Sequence, residues 1–214
     1  MRGHIIFNHV DQRWLNRPCI VAASGPSLDA EVVTACLQAR LRGYGIAAVN
    51  DAYRMLYFSH VLYSSDKKWW QHHRGCKDCA GERWTAGGNN FDIAKEYGLC
   101  IVNGREGDTF SLNPELIHFG ANSGFALINL VLLFGANPIV LVGFNMKTVD
   151  SKRHFFGDHP KELDNSGNFS TWVPFYDNAA KRLPDGRVIL NATPDSALKC
   201  FKKINLEDLK RDVG

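Results

Sequence analysis

The sequence predicts an α/β protein of Rossmann-like type, with a largely parallel sheet and helices on both faces. Three observations predict it. Short apolar, often β-branched runs alternate with longer amphipathic segments along the chain. Most of those runs are apolar throughout, as strands covered on both faces are. Polar residues gather just after several of them, where the loops at the carboxyl ends of parallel strands would stand. With 214 residues the chain can bury one sizeable core, and residues 1–214 are read as a single nucleotide-binding domain.

The first strand is expected at Cys19–Ala23, followed by a Ser24-Gly25-Pro26-Ser27 turn and a helix at Ala30–Arg42. Further strands are expected at Ile46–Asn50 and Val61–Ser64, the latter leading into a helix at Lys67–His73. A helix at Phe91–Tyr97 precedes a strand at Cys100–Asn103. Asn122–Phe134 is the most apolar helix of the chain, and Gly135-Ala136-Asn137-Pro138 stops it before a strand at Ile139–Gly143. Thr171–Arg182 reads as a helix, Arg187–Asn191 as a strand and Leu206–Arg211 as a closing helix. Strands alternating with helices imply crossover connections and parallel pairing. Residues 144–168 break the pattern. They are polar, lack periodicity and are too long for an idle connection, so they are expected to form a lid-like loop.

Composition narrows the function. The chain is 45% hydrophobic and 22% charged, with a net charge of +3 from 25 basic and 22 acidic residues. That balance makes nucleic acid an unlikely partner but suits a small anionic ligand held in one basic pocket. The apolar stretch Phe125–Phe144 approaches membrane-span length, yet Asn129, Gly135, Asn137 and Pro138 interrupt it, so no span is expected. The N-terminal residues lack the apolar core of a signal peptide. Six cysteines without a secretion signal point to reduced thiols and a cytoplasmic location.

The strongest local signal is Ile20–Asp29, a buried strand running through Ser24-Gly25-Pro26-Ser27 into a helix start. Gly25 is expected to let backbone approach a ligand closely, Ser24 and Ser27 supply hydroxyls, and a helix N-terminus attracts phosphate. A capped turn that binds nothing is the plain alternative. Asn50-Asp51, Asp66 and Asn145 follow other strands, and such polar strand ends converge on one crevice in a parallel sheet. Ser123-Gly124 opens the most apolar helix and offers a second anion-binding end or an ordinary cap. In the lid, His154, Asp158 and His159 suit acid–base chemistry, with surface-loop histidines as the bland reading. Lys147, Lys152 and Arg153 beside them suit a phosphate clasp. His72, His73, Cys76 and Cys79 invite a zinc reading, but no second ligand pair accompanies Cys76 and Cys79, so they are not expected to be essential zinc ligands.

Four segments carry a family resemblance: IVAASGPSL from Ile20, AVNDAY from Ala48, ANSGFALINLVLLFGANPIVLVGFNM from Ala121, and VILNATPDSAL from Val188. Together they resemble the sialyltransferase-like superfamily, and also the domain-of-unknown-function family that contains hydroxymethylpterin pyrophosphokinases. Phage-encoded members of the latter look closest, through HFFGDHP at His154 and the NATPDSAL ending. The sialyltransferase resemblance implies a transferase using a nucleotide sugar, with Ser24 to Leu28, Asn50 and Ser123-Gly124 holding the donor. Ala23 replaces that loop's first glycine, and no histidine stands near Phe169, where that group's general base falls; His154 or His159 would substitute. The pyrophosphokinase resemblance implies ATP with magnesium, held by Asp51, Asp66 or Asp158. A non-catalytic nucleotide-binding protein is the third expectation.

Overall fold

The computed structural model describes residues 7–163 and 167–210. Within them the strands are β1 (Cys19–Ala22), β2 (Gly45–Val49), β3 (Val61–Tyr63), β4 (Glu82–Ala86), β5 (Cys100–Arg105), β6 (Leu116–His118), β7 (Ile139–Val142), β8 (Ile189–Asn191) and β9 (Lys202–Lys203). The α-helices are α1 (Ala30–Leu41), α2 (Lys67–His72), α3 (Phe91–Tyr97), α4 (Ser123–Leu133), α5 (Phe169–Lys181) and α6 (Leu206–Lys210). All nine strands join one sheet in the order β6-β5-β4-β3-β2-β1-β7-β8-β9. Every neighbouring pair is parallel. The strands therefore begin mid-sheet at β1, step outward to β6, then cross back to β7 and continue to β9. Their order reverses between β1 and β7, the kind of switch point where open parallel sheets bind ligands.

Residues of each central strand alternate between two cores. Cys19 and Val21 face the core built with α4 and α5, while Ile20 and Ala22 face the one built with α1, α2 and α3. Ala47 and Val49 of β2 join the first core, Ile46 and Ala48 the second. This double cover is why the strands read as continuous apolar runs, each large buried side chain contributing about 1.5–3 kcal/mol. Helix α4 is buried from Gly124 to Leu133, so its apolar character extends all round. Asn129, the polar interruption of that run, is fully buried. Its Oδ1 accepts from the N–H groups of Ser111 and His118, and its Nδ2 donates to Ser111 O, which pins the approach to β6. Among the described residues no helix is long and apolar enough to cross a membrane.

The six expected strands and six expected helices all form, with ends shifted by at most two residues. Helix α5 starts at Phe169 rather than Thr171 because Asn168 accepts from Ser170 N and caps it there. Arg211, the expected end of α6, lies outside the described residues, as do residues 164–166 of the expected lid. Strands β4, β6 and β9 have no counterpart among the sequence expectations. Strand β4 mixes charge with aromatics, as Glu82-Arg83-Trp84-Thr85-Ala86, and reads as neither an apolar run nor a clean alternation. Strands β6 and β9 have three and two residues. Strand β9 consists of exposed lysines at the sheet edge, a composition that discourages further pairing.

Candidate functional site

A cavity of about 1020 Å³ opens over the carboxyl ends of the strands. Its floor is built from the turns that follow β1, β2, β3, β4, β6 and β7, and residues of the 144–168 segment and α5 form part of its wall. Of the residues that the sequence singles out, Ser24, Gly25, Asn50, Asp66, Ser123, Gly124, His154 and His159 line it together. Pro26, Ser27, Asp51, Asn145 and Asp158 are not among the lining residues.

At the β1–β7 seam the polar groups satisfy one another. Gly25 N donates to Gly143 O at 2.9 Å, and Asn145 Oδ1 accepts from Ser27 N and Ser27 Oγ at 3.1 and 2.7 Å. Asn145 is buried, and its Oδ1 is spent on this loop rather than turned toward the cavity. The glycines have a correspondingly structural reason. A Cβ at Gly25 would stand 2.3 Å from Gly143 O and 2.4 Å from Asn145 Oδ1, and one at Gly143 would stand 2.1 Å from Ala23 O. Gly143 also has φ +71°. Close approach of two protein loops, not of a ligand, is what excludes a side chain at Gly25. The expectation that Gly25 serves the close approach of a ligand is corrected accordingly.

The other side of the cavity is more open. Asn50 follows β2 with φ +49°, a left-handed conformation that asparagine tolerates better than most residues. Its Oδ1 is buried and has no hydrogen-bond partner among the described residues. Orphaned buried acceptors are uncommon in native proteins. Ser123 Oγ accepts from Ser65 N at 3.0 Å, tying the start of α4 to the end of β3. Asn122 caps α4 by accepting from Phe125 N, which leaves the N–H groups of Ser123 and Gly124 without a carbonyl partner from the helix. They line the cavity, so a partly positive helix end faces it. Asp66 caps α2 through its acceptor bond from Lys68 N, and Lys68 and Arg153 add cationic groups to the wall.

The described residues of the 144–168 segment are folded and tethered. Phe155 N donates to Ser24 O at 3.0 Å, Phe155 packs against the core, and Leu163 is buried within it. His154 stacks on Phe156 with the rings 4° from parallel, and the His154 and His159 rings lie 4.5 Å apart. Burial, helped by the charges of His159 and Arg153, lowers His154 to about 4. His159 Nδ1 faces Asp51 Oδ2 at 3.8 Å. Asp51 is buried beneath the cavity, accepts from Trp69 Nε1 at 2.8 Å, and faces Arg54 and His73 at 3.7 and 3.5 Å. Asp158 is exposed, Lys147 pairs with Asp195 away from the cavity, and Lys152 is exposed. Of the expected cationic clasp only Arg153 lines the cavity.

Several lining residues escaped the sequence reading. Gly87, Gly88, Asn89 and Asn90 follow the unrecognised β4, Gly104 lies in β5, and Phe119 follows β6. Asn90 is buried and its Nδ2 donates to Ser65 O, Thr85 Oγ1 and Ala86 O, bracing two floor turns. The glycine pair in Ala86-Gly87-Gly88-Asn89-Asn90 was the available signal once a strand was placed before it. Trp172 and Phe169 of α5 add an aromatic wall.

A magnesium ion held by Asp51, Asp66 or Asp158 does not fit this arrangement. Asp51 is already faced by two histidines, an arginine and an indole N–H, Asp66 caps a helix, and Asp158 stands outside the cavity. Among the described residues no group of three or more His, Cys, Asp or Glu is gathered to hold a metal. Cys76 and Cys79 are buried free thiols.

A sheet of this order, with its cavity over the carboxyl edge, defines a Rossmann-like α/β fold. That fold is shared with the solved structure of MAf glycosyltransferase from Magnetospirillum magneticum AMB-1, at a TM-score of 0.60 and 13% identity. The likeness covers 90% of this chain and 34% of that one, so this chain spans about a third of that protein's length. At such low identity the likeness concerns the fold. No protein-family model and no curated protein matches the sequence.

Proposed function

We propose that the chain is a transferase using a nucleotide-activated donor, a glycosyltransferase-like enzyme acting on a nucleotide sugar. The observation that carries this reading is the cavity at the carboxyl edge, lined by the open start of α4 and by Asn50, whose buried Oδ1 has no partner among the described residues. The N–H groups of Ser123 and Gly124 hold the donor's phosphates, with Arg153 and Lys68 offsetting charge. Asn50 accepts a hydrogen bond from the nucleoside. A cavity of about 1020 Å³ leaves room for an acceptor beside a nucleotide.

His159 is the general base in this reading. Asp51 holds its Nδ1 side and stabilises the imidazolium, which leaves Nε2 to take the proton of an acceptor hydroxyl. The acceptor oxygen then bonds the sugar's anomeric carbon as the bond from that carbon to phosphate breaks, and the nucleotide leaves with the electron pair. His154, lowered to about 4 by burial, stays neutral near pH 7 and is a weak base there. Among the described residues the acidic groups that a magnesium-dependent diphosphokinase would need are not gathered, which favours the glycosyl-transfer reading over that one.

A thermal-shift screen of CMP-, UDP-, GDP- and ADP-linked sugars, with and without magnesium, tests it. One nucleotide sugar is expected to raise the melting temperature without magnesium. Turnover of that donor is expected to fall by about a hundredfold or more in His159→Ala. Stabilisation by ATP only with magnesium would overturn the reading in favour of the kinase. Binding of the donor without turnover, in wild type and variant alike, would make the chain a binding protein.

A further inference from the structure

A second cavity, of about 310 Å³, lies at the opposite edge of the sheet, beside the amino ends of β3 and β4. Arg13, Trp14, Arg40, Ser59, His60 and Glu82 line it. Ser59 is 2% exposed, and its hydroxyl has no hydrogen-bond partner among the described residues. Leaving a buried hydroxyl unpaired is costly, so this one calls for a partner. His60 Nδ1 accepts from Ile46 N at 3.0 Å, so the neutral ring carries its proton on Nε2 as a donor.

Arg13 pairs with Glu82 at 2.6 Å and its guanidinium lies 4.0 Å over the Phe134 ring. Arg40 donates to Phe58 O through one nitrogen. A guanidinium has five N–H donors, so each arginine keeps donating capacity beyond these contacts. Two guanidiniums face one carboxylate, and the charges of Arg40, Arg17 and Arg13 add to burial in lowering His60. The cavity is therefore rich in donors, short of acceptors and net positive.

We propose that this cavity is a binding site for a phosphate dianion, either inorganic phosphate or a phosphomonoester. The Ser59 hydroxyl and His60 Nε2–H donate to its oxygens, and Arg13 and Arg40 supply the charge. The site is separate from the carboxyl-edge cavity and stands whether or not the chain is a transferase. A tetrahedral dianion supplies the acceptors that these groups lack and balances the excess positive charge.

The test follows the His60 ring resonances of the full chain by NMR while inorganic phosphate, and separately ribose 5-phosphate, is added. Saturable shifts and an upward move of the His60 titration midpoint are expected, since a nearby dianion favours the imidazolium. Tighter binding of ribose 5-phosphate would identify a phosphomonoester, and equal or weaker binding the free ion. Arg40→Gln is expected to weaken binding by about tenfold. Ser59→Ala is expected to melt no lower than wild type without phosphate, because it removes an unpaired hydroxyl, and to gain less than wild type when phosphate is added. Unmoved His60 resonances would overturn the proposal, as would equal phosphate affinity in wild type and Ser59→Ala. Either readout stands even if Arg40→Gln fails to fold.

Discussion

The two sides of β1 put similar polar residues to opposite use. On the β7 side, Ser27, Gly25, Gly143 and Asn145 close on one another, with bonds of 2.7–3.1 Å and no space for a Cβ. On the β2 side, Asn50 keeps a buried acceptor without a partner, and the start of α4 turns its first N–H groups to the cavity. Both sides consist of small polar residues at strand ends, and one-dimensional sequence gives them equal claim to a ligand. Only the register of β1 against β7, with Ala22 opposite Val142, decides that the first set meets protein instead. A polar strand end is scaffold where a neighbouring loop arrives within bonding distance, and site where none does.

The largest expected effect tests the scaffold side. Gly25→Val must force its branched side chain against the carbonyl of Gly143 and the side chain of Asn145, which are backbone and buried. Overpacking of that kind costs about 3 kcal/mol, and the loss of the Ser27–Asn145 bonds adds to it. Urea denaturation is expected to show a midpoint far below wild type, or no folded protein. Wild-type stability combined with lost nucleotide binding would break the comparison, because it would return Gly25 to the ligand side.

How much of this was legible in the sequence follows from the same contrast. The central strands were legible because burial on both faces leaves a one-dimensional trace, a run such as Ile139-Val140-Leu141-Val142 with no polar member. Strand β4 left none, since Glu82 and Arg83 sit at its exposed start and only Trp84 onward is buried. With it went the Gly87–Asn90 turn, a substantial part of the cavity floor. Of the cavity's lining residues, Asn50 and Ser123 were legible as polar residues after a strand or before a helix, and His159 as a histidine in the polar 144–168 stretch. The pairing of His159 with Asp51 was not, because it joins positions 108 residues apart that only the fold brings together. That segment reads as a loop of plain polarity, yet Phe155 and Leu163 anchor it in the core.

A smaller effect separates that anchored segment from the seam by its response to pH. The unfolded chain takes up a proton on His154 near pH 6.5, while burial holds the folded protein's His154 to about 4. Between those values the unfolded state binds more protons, so stability rises with pH across the window. The contribution is complete above about pH 6.5 and is lost as pH falls toward 4. Its size is on the order of 2 kcal/mol, allowing for the partial exposure of the ring. His154→Gln should flatten this part of the profile, measured as urea midpoints at pH 4.5 and 7, while Gly25 variants should be equally impaired at both. The same slope in wild type and His154→Gln would mean that the segment does not bury the ring as tightly as its stacking on Phe156 implies.

The smallest effect on the fold, and the sharpest on the site, is expected from Asn50→Gly. Glycine adopts φ +49° without the Cβ penalty, so the turn after β2 keeps its shape. The variant also removes the buried Oδ1 that has no partner. Those gains offset the extra backbone entropy of glycine in the unfolded chain, and stability should stay within about 0.5 kcal/mol of wild type. If Asn50 belongs to the ligand side, its lost acceptor must appear in binding, as a fall of about tenfold in affinity for the best nucleotide donor by calorimetry. Asn50→Ala, by contrast, should lose stability as well, since alanine is strained at that φ by about 1–2 kcal/mol. The pair of variants therefore separates backbone strain from the missing carbonyl. Unchanged affinity in Asn50→Gly would move Asn50 to the scaffold and leave the start of α4 as the cavity's main recognition element.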